Sequence, residues 1–219
     1  MLSMRNVTIY SRGADPEAPL LRIPALTVQA GEVVTLMGPS GVGKSTLLRW
    51  LLGEPLPNFH ISGQVCLHDV DLTCLPIGQR QLGMMFQQGG LFPHLTVAEN
   101  CMFAQGARSQ QPRLQQQQQA LTQLRALGLG DKWHAYPESL SGGQYARIAL
   151  LCTLLAEPQA MLLDEPFSAL DAALRQEVRS WTFTQLEEKH MPTLLVTHDK
   201  ADARGRILTV NGHREVVDA

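Results

Sequence analysis

Apolar residues come in short runs along this chain, and the length and spacing of each run limit what it can form. Met4–Tyr10, Leu20–Val28 and Glu32–Met37 have the length and apolar content of strands. Ser11–Pro19, rich in Gly, Pro and Asp, reads as the hairpin loop between the first two. Leu47–Leu52 predicts an apolar helix that Gly53 and Pro55 end. Ile61–Leu67 and Asp69–Leu72 predict a short strand pair. From about Thr96 to Gly130 the spacing is helical, and the glutamine run Gln115–Gln119 within it reads as a solvated helix face or a loose loop. Beyond Leu140 the pattern alternates: helix over Ala146–Leu155, buried strand over Ala160–Leu163, helix over Leu170–Lys189, buried strand over Thr193–Thr197. Apolar strands separated by helices predict an α/β fold with a mostly parallel sheet wrapped by helices.

Composition narrows the function classes. With 219 residues the chain holds one α/β domain with room for a small inserted subdomain. A formal net charge of -2 gives no basic footprint, so a nucleic-acid partner is not expected. No apolar run approaches the roughly 20 residues of a membrane span, and the N-terminus has no signal-peptide core, so the expected compartment is the cytosol. Cys66, Cys74, Cys101 and Cys152 form no CxxC pair and read as buried free thiols, and the histidines lack metal-ligand spacing.

Three segments carry chemistry. Gly38-Pro39-Ser40-Gly41-Val42-Gly43-Lys44-Ser45, followed by Thr46, fits G-x-x-x-x-G-K-[ST] between a predicted strand and a predicted helix. The glycines allow turns that side chains would block, and their amides face phosphate. Lys44 supplies a cation to the β- and γ-phosphates of ATP, and Ser45 offers its hydroxyl to Mg²⁺. Met161-Leu162-Leu163-Asp164-Glu165 is an apolar strand ending in two carboxylates, at the end of the sheet where ligands collect. Asp164 is placed to hold Mg²⁺ through water, and Glu165 to polarise the attacking water. Leu140-Ser141-Gly142-Gly143-Gln144 is a small-residue turn before a helix, a second set of amides and a hydroxyl suited to an anion. One nucleotide does not need two cradles, so the second makes sense as the completion of a site on another copy.

These segments together resemble the ATP-binding cassette (ABC) ATPases, whose defining motif is LSGGQ, and the likeness runs over essentially the whole chain in the family's motif order. The resemblance implies a P-loop NTPase core with a mostly parallel sheet, an N-terminal antiparallel β subdomain and an inserted α-helical subdomain. The core is expected over about 1–86 and 157–219, and the helical signature subdomain over about 87–156. Gln87, after Phe86, matches the Q-loop glutamine that senses Mg²⁺ and the attacking water, with Gln88 one position away as the alternative. Ser141, Gly142, Gly143 and Gln144 match the signature that caps the ATP held by a partner subunit. Asp171 matches the D-loop at the dimer contact, and His198 the switch histidine that holds the γ-phosphate and orders Glu165.

A narrower likeness concerns Leu91–Asn100 and Phe167–Glu177, which are similar to the ATPases of bacterial binding-protein-dependent importers of the thiamine, iron and molybdate branch. It implies an energy-coupling subunit, acting as a head-to-tail homodimer on separate permease subunits at the inner face of the cell membrane, with a solute-binding protein as an indirect partner. An exporter or mechanical signalling ATPase, and a soluble ABC protein acting on nucleic acid or ribosomes, are the alternatives. Three positions depart from the family. Tyr10, the candidate to stack on adenine, falls one residue early and stands equally as a plain strand residue. Cys152 occupies a position usually held by arginine. The stretch after His198 lacks the usual acidic-alanine helix.

Overall fold

A computed structural model describes residues 1–13, 18–86, 90–106, 111–168 and 170–219. Strands β1 (Leu2–Ser11) and β2 (Leu21–Val28) pair antiparallel, as do β1 and β4 (Phe59–Leu67), and β5 (Val70–Asp71) completes a four-stranded sheet in the order β2-β1-β4-β5. A second, six-stranded sheet has the order β10-β9-β3-β8-β7-β6, with β3 (Val33–Met37), β6 (Leu82–Met85), β7 (Ala160–Asp164), β8 (Thr193–Val196), β9 (Arg206–Val210) and β10 (Val216–Asp218). Strands β9, β3, β8 and β7 run parallel to one another. Strands β7 and β8 are buried at every position, which is why they read as unbroken apolar runs and not as alternating ones.

Helix α1 (Lys44–Leu52) is the next element after β3, and Gly53 ends it as expected, donating its N–H to the Arg49 and Trp50 carbonyls. Helix α2 (Val97–Gly106) starts from a reciprocal cap. The Glu99 N–H donates to the Thr96 hydroxyl, and Glu99 Oε2 accepts from the Thr96 N–H at 2.7 Å. The glutamine run lies in helix α3 (Arg113–Ala126). Gln115, Gln117 and Gln118 are exposed, while Gln116 is buried and donates to the Gln111 carbonyl. Helix α4 spans Gly142–Leu155 and helix α5 spans Ala172–Glu188. Helix α4 thus begins at Gly142 and not at Ala146, because the Ser141–Gln144 cap pulls the glycine pair into its first turn.

Packing divides the chain into two compact units. One holds Met1–Met84, Gln159–Glu165 and Thr184–Ala219, and the other Met85–Pro158 and Pro166–Phe183. The second has its own core, in which Cys101 of α2, Leu124 of α3 and Ile148 and Leu151 of α4 are fully buried. The Cys101 and Cys152 sulfurs lie 3.8 Å apart there. Of the remaining thiols Cys66 is half-buried and Cys74 exposed, so burial holds for only part of the set expected inside. No described helix is long and apolar enough to cross a membrane.

Candidate active site

The loop between β3 and α1 is shaped by its own backbone. Gly43 takes φ +92 as it enters the helix, a conformation that residues with a side chain rarely adopt. Lys44 opens α1, and its ammonium donates to the Gly38 and Pro39 carbonyls at 2.8 Å each, so the side chain folds back over the loop that precedes it. Ser45, next in the helix, donates its hydroxyl to Asp164 Oδ1 at 3.1 Å. Helix α1 packs on β7, and this places the loop at the carboxyl end of that strand.

The second group of residues follows from strand pairing. Asp164 ends β7 opposite Val196, which ends the neighbouring parallel strand β8. Glu165 leaves β7 with its N–H on the Val196 carbonyl at 2.9 Å and with φ +50. His198 leaves β8 two residues past its end. The two strands therefore deliver Glu165 and His198 side by side, and His198 Nδ1 lies 2.6 Å from Glu165 Oε1. A non-glycine residue in the left-handed region is uncommon and clusters at functional sites.

Electrostatics match this geometry. Burial pushes the Asp164 carboxyl above the ordinary carboxylate range, with the Glu165 charge adding to the effect and the Ser45 hydroxyl and Lys44 opposing it. Burial likewise pushes the Lys44 ammonium below its usual value, against the pull of Glu165 and then Asp164. A buried lysine and a buried carboxylate thus stand at the glycine-rich loop, together with a glutamate in contact with a histidine. That set can neutralise a polyanion and orient a water. A cavity of about 450 Å³ adjoins the loop at Pro39, Ser40 and Val42 and continues to Arg214.

The other predicted positions fall as follows. Ser141 N–H donates to Gln144 Oε1 at 3.0 Å, and Gln144 N–H donates to Ser141 Oγ at 3.3 Å, so the signature residues build the N-terminus of α4, with Gly142 and Gly143 in its first turn. Asp171 is exposed and accepts the Leu174 N–H at 3.1 Å at the start of α5. Tyr10 faces His60 across β1 and β4, with ring centroids 6.5 Å apart, while its neighbour Ile9 is fully buried on the opposite face of the strand. Gln87 and Gln88 lie outside the described residues. Two residues that sequence reasoning did not single out support the site. Arg80 secures the far end of α1, donating to the Trp50 and Leu51 carbonyls, and Thr35 lies on the strand that leads into the loop. Thr35 does leave one trace in the sequence, as the lone hydroxyl within the apolar run Val33–Met37.

Comparison with known proteins agrees with the motifs. The profile of the ABC transporter family matches residues 21–168. The uncharacterized ABC transporter ATP-binding protein YnjD of Escherichia coli is 42% identical over 203 residues, covering 92% of this chain and 90% of that protein. The sulfate/thiosulfate import ATP-binding protein CysA of Gloeobacter violaceus is 40% identical over 204 residues, and there the match spans 88% of this chain but only 58% of the relative. The dimeric structure of the bacterial ABC transporter cassette MJ0796 superposes with a TM-score of 0.83 at 31% identity, covering 99% of this chain and 96% of that one. The same cassette in a post-hydrolysis state bound to ADP and Pi superposes with a TM-score of 0.82. The chain therefore belongs to the ABC transporter family, as one of its ATP-binding cassette ATPases.

Proposed function

We propose that this chain is the energy-coupling subunit of a solute importer, and that two copies close head to tail on ATP and reopen on hydrolysis. The observation that carries the reading is the convergence at the ends of β7 and β8: Ser45 on Asp164 at 3.1 Å and His198 on Glu165 at 2.6 Å, beside the loop that Lys44 folds over. Lys44 and the loop amides bind the β- and γ-phosphates. Glu165 polarises a water for in-line attack on the γ-phosphorus, the bond to the β-phosphate oxygen breaks, and ADP leaves. His198 holds Glu165 in place during that attack and contacts the γ-phosphate. Ser141, Gly142, Gly143 and Gln144 of a second copy complete the enclosure, and Asp171 lies at the contact between copies.

Mg²⁺ suits the donors present. Among the described residues no cluster of three or more His, Cys, Asp or Glu side chains assembles, but a hydroxyl and a buried carboxylate stand together at Ser45 and Asp164. Such a hard-oxygen pair leaves room for water and phosphate oxygens, as Mg²⁺ prefers. Ser45, Asp164 through water and Gln87 would hold the ion, which neutralises phosphate charge when bound.

The import assignment rests on the relatives named as import proteins and on Leu91–Asn100. The membrane partner is a separate permease, reached from the cytoplasmic side, with a solute-binding protein beyond it. The helical unit supports such docking: Phe103 and Leu114 are exposed beside a groove of about 860 Å³ that also includes Met102 and Trp133. Steady-state ATPase of Glu165→Gln tests the central assignment. The variant should bind ATP and lose turnover, and hydrolysis at the wild-type rate overturns it.

A further inference from the structure

The segment that carries His198 is tied to β3 at both ends, and at its exit the tie is one buried hydroxyl. Strands β8 and β9 lie on either side of β3, both parallel to it. The chain leaves β8 at the level of Leu36, and residues 197–205 bring it across β3 to enter β9 at the level of Val34. Parallel crossovers usually take a dozen residues or more and a helix. This one is shorter and contains no helix.

Several hydrogen bonds lie within the segment. Asp199 N–H donates to the Thr197 hydroxyl, Ala201 N–H to Asp199 Oδ1, Asp202 N–H to the Asp199 carbonyl and Ala203 N–H to the Lys200 carbonyl. Both ends are anchored on β3. At entry, Thr197 N–H reaches the Leu36 carbonyl at 3.4 Å. At exit, the Thr35 hydroxyl donates to the Arg204 carbonyl at 2.7 Å and accepts the Arg204 N–H at 3.0 Å, so a single side chain clips both backbone polar groups of one residue, whose guanidinium also donates to Glu187 Oε1 at 2.8 Å. Thr35 has no solvent exposure, and Val34 and Leu36, its neighbours along β3, are fully buried too. Beyond the clip, Gly205 runs so close to β3 that a Cβ there would collide with the Val33 carbonyl oxygen. The turn has no room to shift on that side.

We propose that Thr35 is a positioning residue for hydrolysis, fixing the exit of this short segment and thereby holding His198 at its 2.6 Å contact with Glu165. The inference rests on the role assigned to His198 above. With the hydroxyl removed, the Arg204 N–H and C=O lose their contact with Thr35, the exit end of the segment is held less tightly although the Arg204 guanidinium keeps Glu187, and His198 samples positions away from Glu165 more often.

Thr35→Val keeps the side-chain shape without the hydroxyl, and Thr35→Ser restores the hydroxyl. The expected result for Thr35→Val, assayed about 15 °C below its own unfolding midpoint, is a kcat lower by about tenfold or more with ATP affinity within about twofold. Amide exchange over Ala201–Arg204 should accelerate in the nucleotide-free protein, and Thr35→Ser should return both readouts to wild type. A double-mutant cycle separates positioning from bulk stability: Thr35→Val on a His198→Ala background should cost no further kcat. Thr35→Val with wild-type kcat, or a full additional loss on the His198→Ala background, overturns the proposal. Should Thr35→Val not fold, Thr35→Cys, a weaker donor, should give an intermediate kcat, and an unchanged kcat overturns the proposal. If His198→Ala itself turns over at the wild-type rate, the role given to His198 fails. If His198→Ala is inactive and Thr35→Val is normal, only the present inference fails.

Discussion

Arg80 offers a quantitative test of how the phosphate-loop helix is held. Its guanidinium is almost fully buried and makes four hydrogen bonds to carbonyls: Nη1 to Trp50 and Leu51 at 2.8 Å each, Nη2 to Thr73 at 2.9 Å and Nε to Leu75 at 2.8 Å. Two of these carbonyls close the C-terminus of α1, where the helix dipole also favours a cation. Replacement by Met keeps the stem and removes the fork. Four lost bonds at about 1 kcal/mol net each give ~4 kcal/mol, and the lost helix-end charge adds about 0.5 kcal/mol. Burial pushes the Arg80 pKa below its usual value, a sign that the ion itself is costly to bury. Relief of that cost returns on the order of 1–2 kcal/mol. The expected destabilisation is therefore about 3 kcal/mol, or roughly 6–12 °C in Tm for a chain of this size. Urea and thermal unfolding followed by circular dichroism measure it directly. A change within about 0.5 kcal/mol refutes the reasoning, since it means the fork contributes nothing beyond its stem. Arg80→Lys should lie between the two at about 2 kcal/mol, because one ammonium has three donors for four acceptors.

Two further substitutions probe other parts of the account. Asn100 is buried, donating to the Phe92, Leu95 and Thr96 carbonyls and accepting the Phe92 N–H; Asn100→Ala should cost about 2–3 kcal/mol and make 91–96 the first site of limited proteolysis. Asp164→Asn should abolish ATPase yet raise Tm at pH 7.5. A folded-state pKa raised by burial means that the ionised carboxylate costs stability at high pH, and that cost disappears as pH falls through the folded-state pKa. The Tm gap between Asp164→Asn and wild type should accordingly narrow as pH is lowered toward 4, and a gap that widens on acidification contradicts this assignment.

Much of the architecture was legible because each signal was local. Strands β3, β7 and β8 are short and mostly apolar, and the glycine-rich loop concentrates its chemistry in adjacent residues between a strand and a helix. Strands β6, β9 and β10 were not foreseen. Leu82–Met85 contains glycine and methionine instead of β-branched residues, Arg206–Val210 opens on exposed positions, and Val216–Asp218 is too short to show a period. The start of α4 is hidden in the sequence because a glycine pair looks like a turn until Ser141 and Gln144 cap each other around it. Tertiary clips were invisible for a different reason. Thr35 meets Arg204 across 169 residues and Arg80 meets Trp50 across 30, and no spacing rule connects such pairs. The sulfurs of Cys101 and Cys152 likewise meet across 51 residues between α2 and α4.

The central claim is that the phosphate loop is half of a site, completed by Ser141–Gln144 of a second copy. Sedimentation velocity of Glu165→Gln with and without ATP tests it most directly. ATP should shift Glu165→Gln from monomer to dimer, and Ser141→Arg should abolish that shift while ATP binding persists. Saturating ATP binding by Glu165→Gln with no change in mass, or a dimer indifferent to Ser141→Arg, contradicts it.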